Sequence, residues 1–244
     1  MPWEFIFIFI ILLIGSFIQG TTGFGLGLFA MGFLPMLLPL RDSSLLVMSL
    51  AAILSLSIVI KMYKYIEIKS FWVILAAAFT GRILSFIFLT SFGDIDSMKR
   101  LLGIFLISMV VYLLFFNKKE ASSSMMHPVV PIILGFCGGF IGGVFAVGGP
   151  FFVFYFLMLY KEKHSYNANL QLTLFLSNLF TIILHTIHGD LNLNHSMYFL
   201  IGIFSVIIGS SVGLRLFERI PREKVQRSAM AVVLIAGLNL LIFS

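Results

Sequence analysis

Gln19-Gly20-Thr21-Thr22-Gly23-Phe24-Gly25-Leu26-Gly27 is the first of two glycine-rich passages in this chain, and Gly138-Gly139-Phe140-Ile141-Gly142-Gly143-Val144-Phe145-Ala146-Val147-Gly148-Gly149-Pro150 is the second. Each sits inside an apolar stretch too long for one membrane crossing. Trp3 to Leu40 would extend roughly 57 Å as a single helix at about 1.5 Å per residue, against a hydrocarbon core of about 30 Å. Val129 to Tyr160 would extend roughly 48 Å on the same rise. Backbone that leaves the helix at this depth must be enclosed by protein or face a wet cavity, because lipid cannot satisfy its N–H and C=O groups. Both stretches are therefore read as broken helices or hairpins, their arms either full spans or re-entrant halves. Paired broken helices in the two halves of a chain point to a transporter's binding site.

Composition agrees with that setting. Of 244 residues 60% are hydrophobic and only 11% charged, with a mean hydropathy of +1.09. A soluble domain carries roughly a quarter charged residues, so an all-α integral membrane protein is expected, with lipid as its surroundings. Further apolar segments fall near 43–62, 69–91, 98–116, 165–187, 195–217 and 226–243. Met1-Pro2-Trp3-Glu4 has neither a basic leader nor a small-residue cleavage site before the apolar run, and reads as mature sequence. The single cysteine, Cys137, excludes an intrachain disulfide and any multi-cysteine metal or redox centre.

The net charge of +6 does not point to nucleic acid, since the basic residues flank apolar segments as the positive-inside rule requires. With both long stretches drawn as hairpins, Lys61, Lys64, Lys69, Lys118, Lys119, Lys161, Lys163, Arg215, Arg219, Arg222, Lys224 and Arg227 share one face. Arg41, Lys99 and Arg100 share the other, a 12 to 3 split that single spans would reduce to 10 to 5. The hairpin arrangement thus satisfies the rule better, and it puts both termini outside.

A faint internal repeat accompanies this arrangement. Gly20 and Gly25 match Gly143 and Gly148 at an offset of 123, and Gly81 matches Gly209 at 128. Two inverted repeats are expected, each a Gly-rich broken helix plus three transmembrane helices. Their bounds are residues 1–116 and 129–244, joined by a cytoplasmic linker over 117–128.

Gln-Gly-x-x-Gly-Phe-Gly followed by Pro35, and a later Gly-x4-Gly-Gly-Pro with Tyr155 five residues on, resemble the TauE/SafE family of sulfite exporters. The same group is called the 4-toluene sulfonate uptake permeases, and the likeness covers nearly the whole chain. It implies secondary transport of a small sulfur-containing anion, sulfite or an organosulfonate, across a bacterial inner membrane. The cysteines that a thiosulfate carrier with relay chemistry would need are missing.

The glycine turns are the first candidates for anion binding. An oxyanion leaving water needs donors to replace its hydration, and backbone N–H groups at a helix N-terminus supply them. Gly148-Gly149-Pro150 is a suitable helix start, because proline in the first turn gives up no needed donor. Gln19, Gly20, Thr21, Thr22, Gly23, Phe24, Gly25, Gly143, Gly148, Gly149 and Pro150 are thus expected around the substrate. Thr21 and Thr22 would cap the second arm or offer hydroxyls, and Phe24 would gate or fill the space. The alternative for the glycines is close helix packing.

Arg82 interrupts the apolar run Phe71–Thr90. A charge at mid-membrane costs about 2.5–3.5 kcal/mol on insertion scales, and a guanidinium's planar donor fork suits an oxyanion. Ser177 and Asn178 lie mid-segment and need partners, either substrate or a neighbouring helix. Bridging helices through carbonyls is the alternative for Arg82 as well.

A rival constellation is His185, His188, Asp190 and His195, whose ligand types suit a divalent metal permease. One of these histidines could instead titrate during proton coupling. A membrane scaffold whose glycines serve packing alone is the other alternative. No Gly-x4-Gly-Lys-Ser/Thr motif is present, and Glu67, Asp94, Asp96 and Asp190 all fall at segment edges. Neither an enzyme nor a resident cofactor is expected, and oligomers remain compatible with the pattern.

Overall fold

A computed structural model describes residues 2–68, 71–93, 97–116, 127, 129–190, 196–217 and 222–243. The expected linker, apart from His127, and also Lys69, Asp94, Asp96, His195 and Arg219, lie outside the described residues. Among those described the chain is all-helical: α1 (Pro2–Thr22), α2 (Leu26–Phe33), α3 (Leu40–Met62), α4 (Phe71–Phe92), α5 (Ser97–Phe116), α6 (Val129–Phe145), α7 (Gly149–Leu159), α8 (Lys163–His188), α9 (Ser196–Leu216) and α10 (Arg222–Phe243). Five of these, at Trp3–Thr22, Leu40–Tyr65, Phe71–Phe92, Lys163–His188 and Met197–Leu216, are long and apolar enough to cross a membrane.

Both long stretches are broken, though not where the glycines are densest. The first break is Gly23–Gly25 and the second Ala146–Gly148, which places them 123 residues apart. Gly20, Thr21 and Thr22 stay helical in α1, and Gly138 through Gly143 stay helical in α6. The second interruption is therefore far shorter than its glycine content predicts. Gly23 (φ 89°) and Gly25 (φ 126°) occupy conformations that L side chains rarely adopt. At the position matching Gly23 stands Ala146, whose φ of 58° is the only positive value on a non-glycine among the described residues.

The remaining helical glycines pack helices together. α4 runs parallel to α6, with Gly135 against Ile74 and Ala77, Gly139 against Ala78 and Gly143 against Ser85. α1 runs parallel to α9 in the same way: Tyr198 meets Glu4 at 3.3 Å, Ser16 donates to the Ser205 carbonyl at 3.3 Å, and Gly20 lies against Ser210 and Gly213. Without Cβ atoms the backbones approach closely, which is how helices associate where no hydrophobic force favours one apolar neighbour over another.

Two further pairs run antiparallel. Ser55 of α3 donates to Oε1 of Gln171 on α8 at 2.9 Å, while Met62 meets Asn167. Gly103 of α5 lies against Gly237 and Leu241 of α10, and Gly237 against Ile107. The helix pairs α1–α9, α4–α6, α3–α8 and α5–α10 are unchanged when every helix is exchanged with the one five places away. The short helices α2 and α7 lie inside this frame, and the interior polar groups collect where their first turns meet.

Candidate functional site

Gly27 and Ala146 bring the two broken helices into contact. A Cβ on Gly27 would collide with the Ala146 carbonyl, and one on Gly149 would sit 3.2 Å from Phe24 Cβ. Beside this crossing lies a small cavity lined by Gln19, Phe24, Gly25, Arg82, Gly148, Gly149, Pro150 and Asn178 from among the expected residues. Gly27, Leu28, Ala51, Ala146, Val147 and Leu174 complete it. It leaves ≈ 20 Å³ for the centres of water molecules, and about 10–15 Å³ on that measure admits one.

Three features give it an electropositive lining. α2 begins at Leu26 behind Gly25, and α7 begins at Gly149 behind Gly148 with Pro150 in its first turn. The first turns of both helices border the cavity, so the positive ends of two peptide dipoles converge there. Neither start has a side-chain cap. The third contributor is Arg82, which is 1% exposed.

Arg82 crosses from α4 toward α8 over the glycines of α6. A Cβ on Gly142 would stand 2.9 Å from its Nη2, and one on Gly143 would stand 3.3 Å from its Cδ, so these glycines make room for the side chain. Nη2 donates to Asn178 Oδ1 at 2.9 Å, and Nη1 to Thr181 Oγ1 at 3.2 Å and Met48 Sδ at 3.1 Å. Nε is buried without a partner. Among the described residues no carboxylate lies within 4 Å of the guanidinium, an arrangement that leaves a buried positive charge without its counter-ion. Such a charge is costly unless an anion joins it.

Other expected residues lie apart from the cavity. Gly20 is a packing residue at α9, and Gly143 a packing residue at α4. Thr21 donates to the carbonyls of Phe17 and Ile18, and Thr22 to those of Ile18 and Phe24, so neither hydroxyl caps α2. Gly23 lies against Asn167 and Leu170. Ser177 is fully buried with an unpartnered hydroxyl, and is not among the lining residues.

A polar network around Gln19 escaped the sequence reading. Its Nε2 reaches Ser55 Oγ at 3.4 Å and Gln171 Oε1 at 3.3 Å, while Gln171 Nε2 donates to the Gly23 carbonyl at 2.7 Å. The signal was present: Asn167, Gln171, Asn178, Thr181 and His185 recur every three or four residues, or at a multiple of that spacing, on one face of α8. Gln171 thereby satisfies a carbonyl that the first break releases from its helix.

The histidines form a separate cluster. Nδ1 of His185 lies 2.6 Å from Asp190 Oδ2, Nδ1 of His188 lies 3.0 Å from Oδ1, and Arg41 Nη1 lies 3.5 Å from the same Oδ1. Burial would raise the Asp190 pKa, but hydrogen bonds from His188 and His185 outweigh it and hold the carboxyl below its ordinary value. Among the described residues no group of three His, Cys, Asp or Glu side chains is placed to hold a metal ion.

Two opposed broken helices around a cavity lined by a buried arginine are the arrangement found in solute carriers built on discontinuous helices. The model of the sulfite exporter TauE/SafE family matches residues 7–240. The chain belongs to that family, a family of membrane transporters for sulfur-containing anions. No curated protein and no solved structure matches it.

Proposed function

We propose that this protein is a secondary transporter that carries a compact sulfur oxyanion, sulfite or a small organosulfonate, by alternating access. The observation that carries the reading is Arg82, a buried guanidinium with no carboxylate partner among the described residues, at the meeting of two half-helix N-termini. The anion's oxygens would take up Nε of Arg82 and the free N–H groups of the two first turns, with Asn178 and Gln19 beside them. The small cavity would have to widen to admit even a four-atom anion, so uptake requires the helices around it to move apart.

The halves are read as inverted repeats over 1–116 and 129–244. The pairing of α1 with α9 and of α4 with α6 supports this, as does the antiparallel run of α3 against α8. A chain that enters in α1 and turns near the start of α8 returns through α2 to the face from which it came. Both termini then lie on the face poor in lysine and arginine, the outside of a cytoplasmic membrane.

The test is ligand-dependent thermal stability of the purified protein against sulfite, sulfate, taurine, sulfoacetate, chloride and nickel. A ligand that binds the native state raises its Tm as concentration exceeds Kd. A rise with one sulfur oxyanion, lost in Arg82→Gln and Gly148→Leu, is the expected result. A rise with nickel alone would transfer the site to the histidines and overturn the anion reading.

A further inference from the structure

Arg41, near the start of α3, donates from Nη2 to the Thr90 carbonyl near the end of α4, at 2.8 Å. Lys163, the first residue of α8, donates from Nζ to the Phe217 carbonyl just past the end of α9, at 2.6 Å. Lys163 follows Arg41 by 122 residues and Phe217 follows Thr90 by 127, within a residue of the offsets that relate the glycines. The two contacts are therefore the same contact made once in each half. Each places a cation on the negative end of a helix dipole.

Their placement sets them apart from ordinary helix caps. α3 does not pack along α4, nor α8 along α9, so each contact joins the ends of two helices that are held mainly by other partners. The two also stand at opposite ends of the molecule. Arg41 lies ten residues before the cavity-lining Ala51, and Lys163 eleven before the cavity-lining Leu174, which matches Ala51 at an offset of 123. Each cation is thus roughly 15 Å along its helix from the cavity, in opposite directions because α3 and α8 run antiparallel.

We propose that these two clasps are the gates of the transport pathway, the Arg41–Thr90 contact closing one mouth and the Lys163–Phe217 contact the other. Both are made in this structure, in which the cavity between them is small. Each includes a charge-assisted hydrogen bond to a backbone carbonyl, an interaction that can be broken and remade without unfolding a helix. The surroundings differ. Arg41 is also held near Asp190, which both histidines engage, whereas Lys163 stands 3.9 Å from the centre of the Phe217 ring.

The inference rests on the alternating-access reading above, and it is tested by a readout that needs no substrate. In a Cys137→Ser background, Ala51→Cys puts a thiol in the cavity wall. Its modification by a membrane-impermeant maleimide is followed in intact cells and in inverted vesicles. Arg41→Ala should speed modification several-fold from the Arg41 face only, and Lys163→Ala several-fold from the Lys163 face only. Arg41→Lys and Lys163→Arg should keep the slow rates. Equal acceleration from both faces, or none in either variant, overturns the gates. Sulfite-dependent Tm in the Cys137→Ser parent reports the anion site separately, so either reading can fail alone.

Discussion

Nη2 of Arg82 and Oδ1 of Asn178 are 2.9 Å apart, and this neutral amide is the strongest acceptor the buried guanidinium has among the described residues. Asn178→Asp would supply the missing counter-charge at the same position. An unpaired buried charge is costlier than a paired one, so the substitution should raise the Tm of the ligand-free protein. It should also abolish stabilisation by sulfite, weakening binding by more than about 30-fold, the equivalent of about 2 kcal/mol. Thermal unfolding with and without sulfite measures both effects, and a variant that still binds sulfite normally would remove Arg82 from the site.

The α4–α6 seam should reject even one methyl group. A Cβ at Gly139 would lie 2.8 Å from the Ala78 Cα and closer still to its carbonyl oxygen. Gly139→Ala should therefore destabilise the protein by about 1–3 kcal/mol, the range for overpacking. Gly189, which ends α8 with φ 84° and open space around it, provides the contrast. Gly189→Asn should cost about 1 kcal/mol or less, because asparagine tolerates the left-handed region. Thermal unfolding of the two variants in one detergent ranks them directly.

Ala146 holds a left-handed conformation where its counterpart is glycine. A non-glycine residue there costs of order 1–3 kcal/mol, and a β-branched one is the worst case. Ala146→Val should destabilise by about 2 kcal/mol, whereas Ala146→Gly should be no less stable than the parent. Chemical unfolding followed by tryptophan fluorescence distinguishes them. Equal stability of the Val and Gly variants would mean that the second break does not have this conformation.

Glu162 caps α8 by accepting the Ser165 N–H and pairs with His164 at 2.9 Å. The backbone hydrogen bond from Ser165 is the leading cause that draws its pKa down to about 2. A depressed carboxyl pKa contributes stability that is present above the ordinary value near 4.5 and lost as pH falls through about 2. Glu162→Gln should flatten the stability profile over that window. The effect should be small, since the carboxylate is exposed to solvent. An unchanged acid limb in the variant would dissociate Glu162 from it.

Apolar composition and length were enough to place the unbroken segments. Those expected near 43–62, 98–116 and 165–187 became Leu40–Met62, Ser97–Phe116 and Lys163–His188, because an apolar run in lipid must form its hydrogen bonds internally. The breaks were visible only approximately. Glycine density pointed to Gly138–Pro150, yet Gly138 through Gly143 serve packing against α4 and α7, and the chain turns at Ala146. A glycine that gives up its helix and one that admits a neighbouring backbone look the same along a sequence.

The amino-acid sequence by itself determined that the chain is helical, belongs in a membrane and carries two matching interruptions, since these follow from local composition and spacing. Only the tertiary structure decided which polar residues meet. Gln19 with Gln171, Arg82 with Asn178, and Ala146 with Gly27 come from distant parts of the chain. Their meeting depends on how closely glycine-lined helices approach, a property of pairs of surfaces that no single stretch contains.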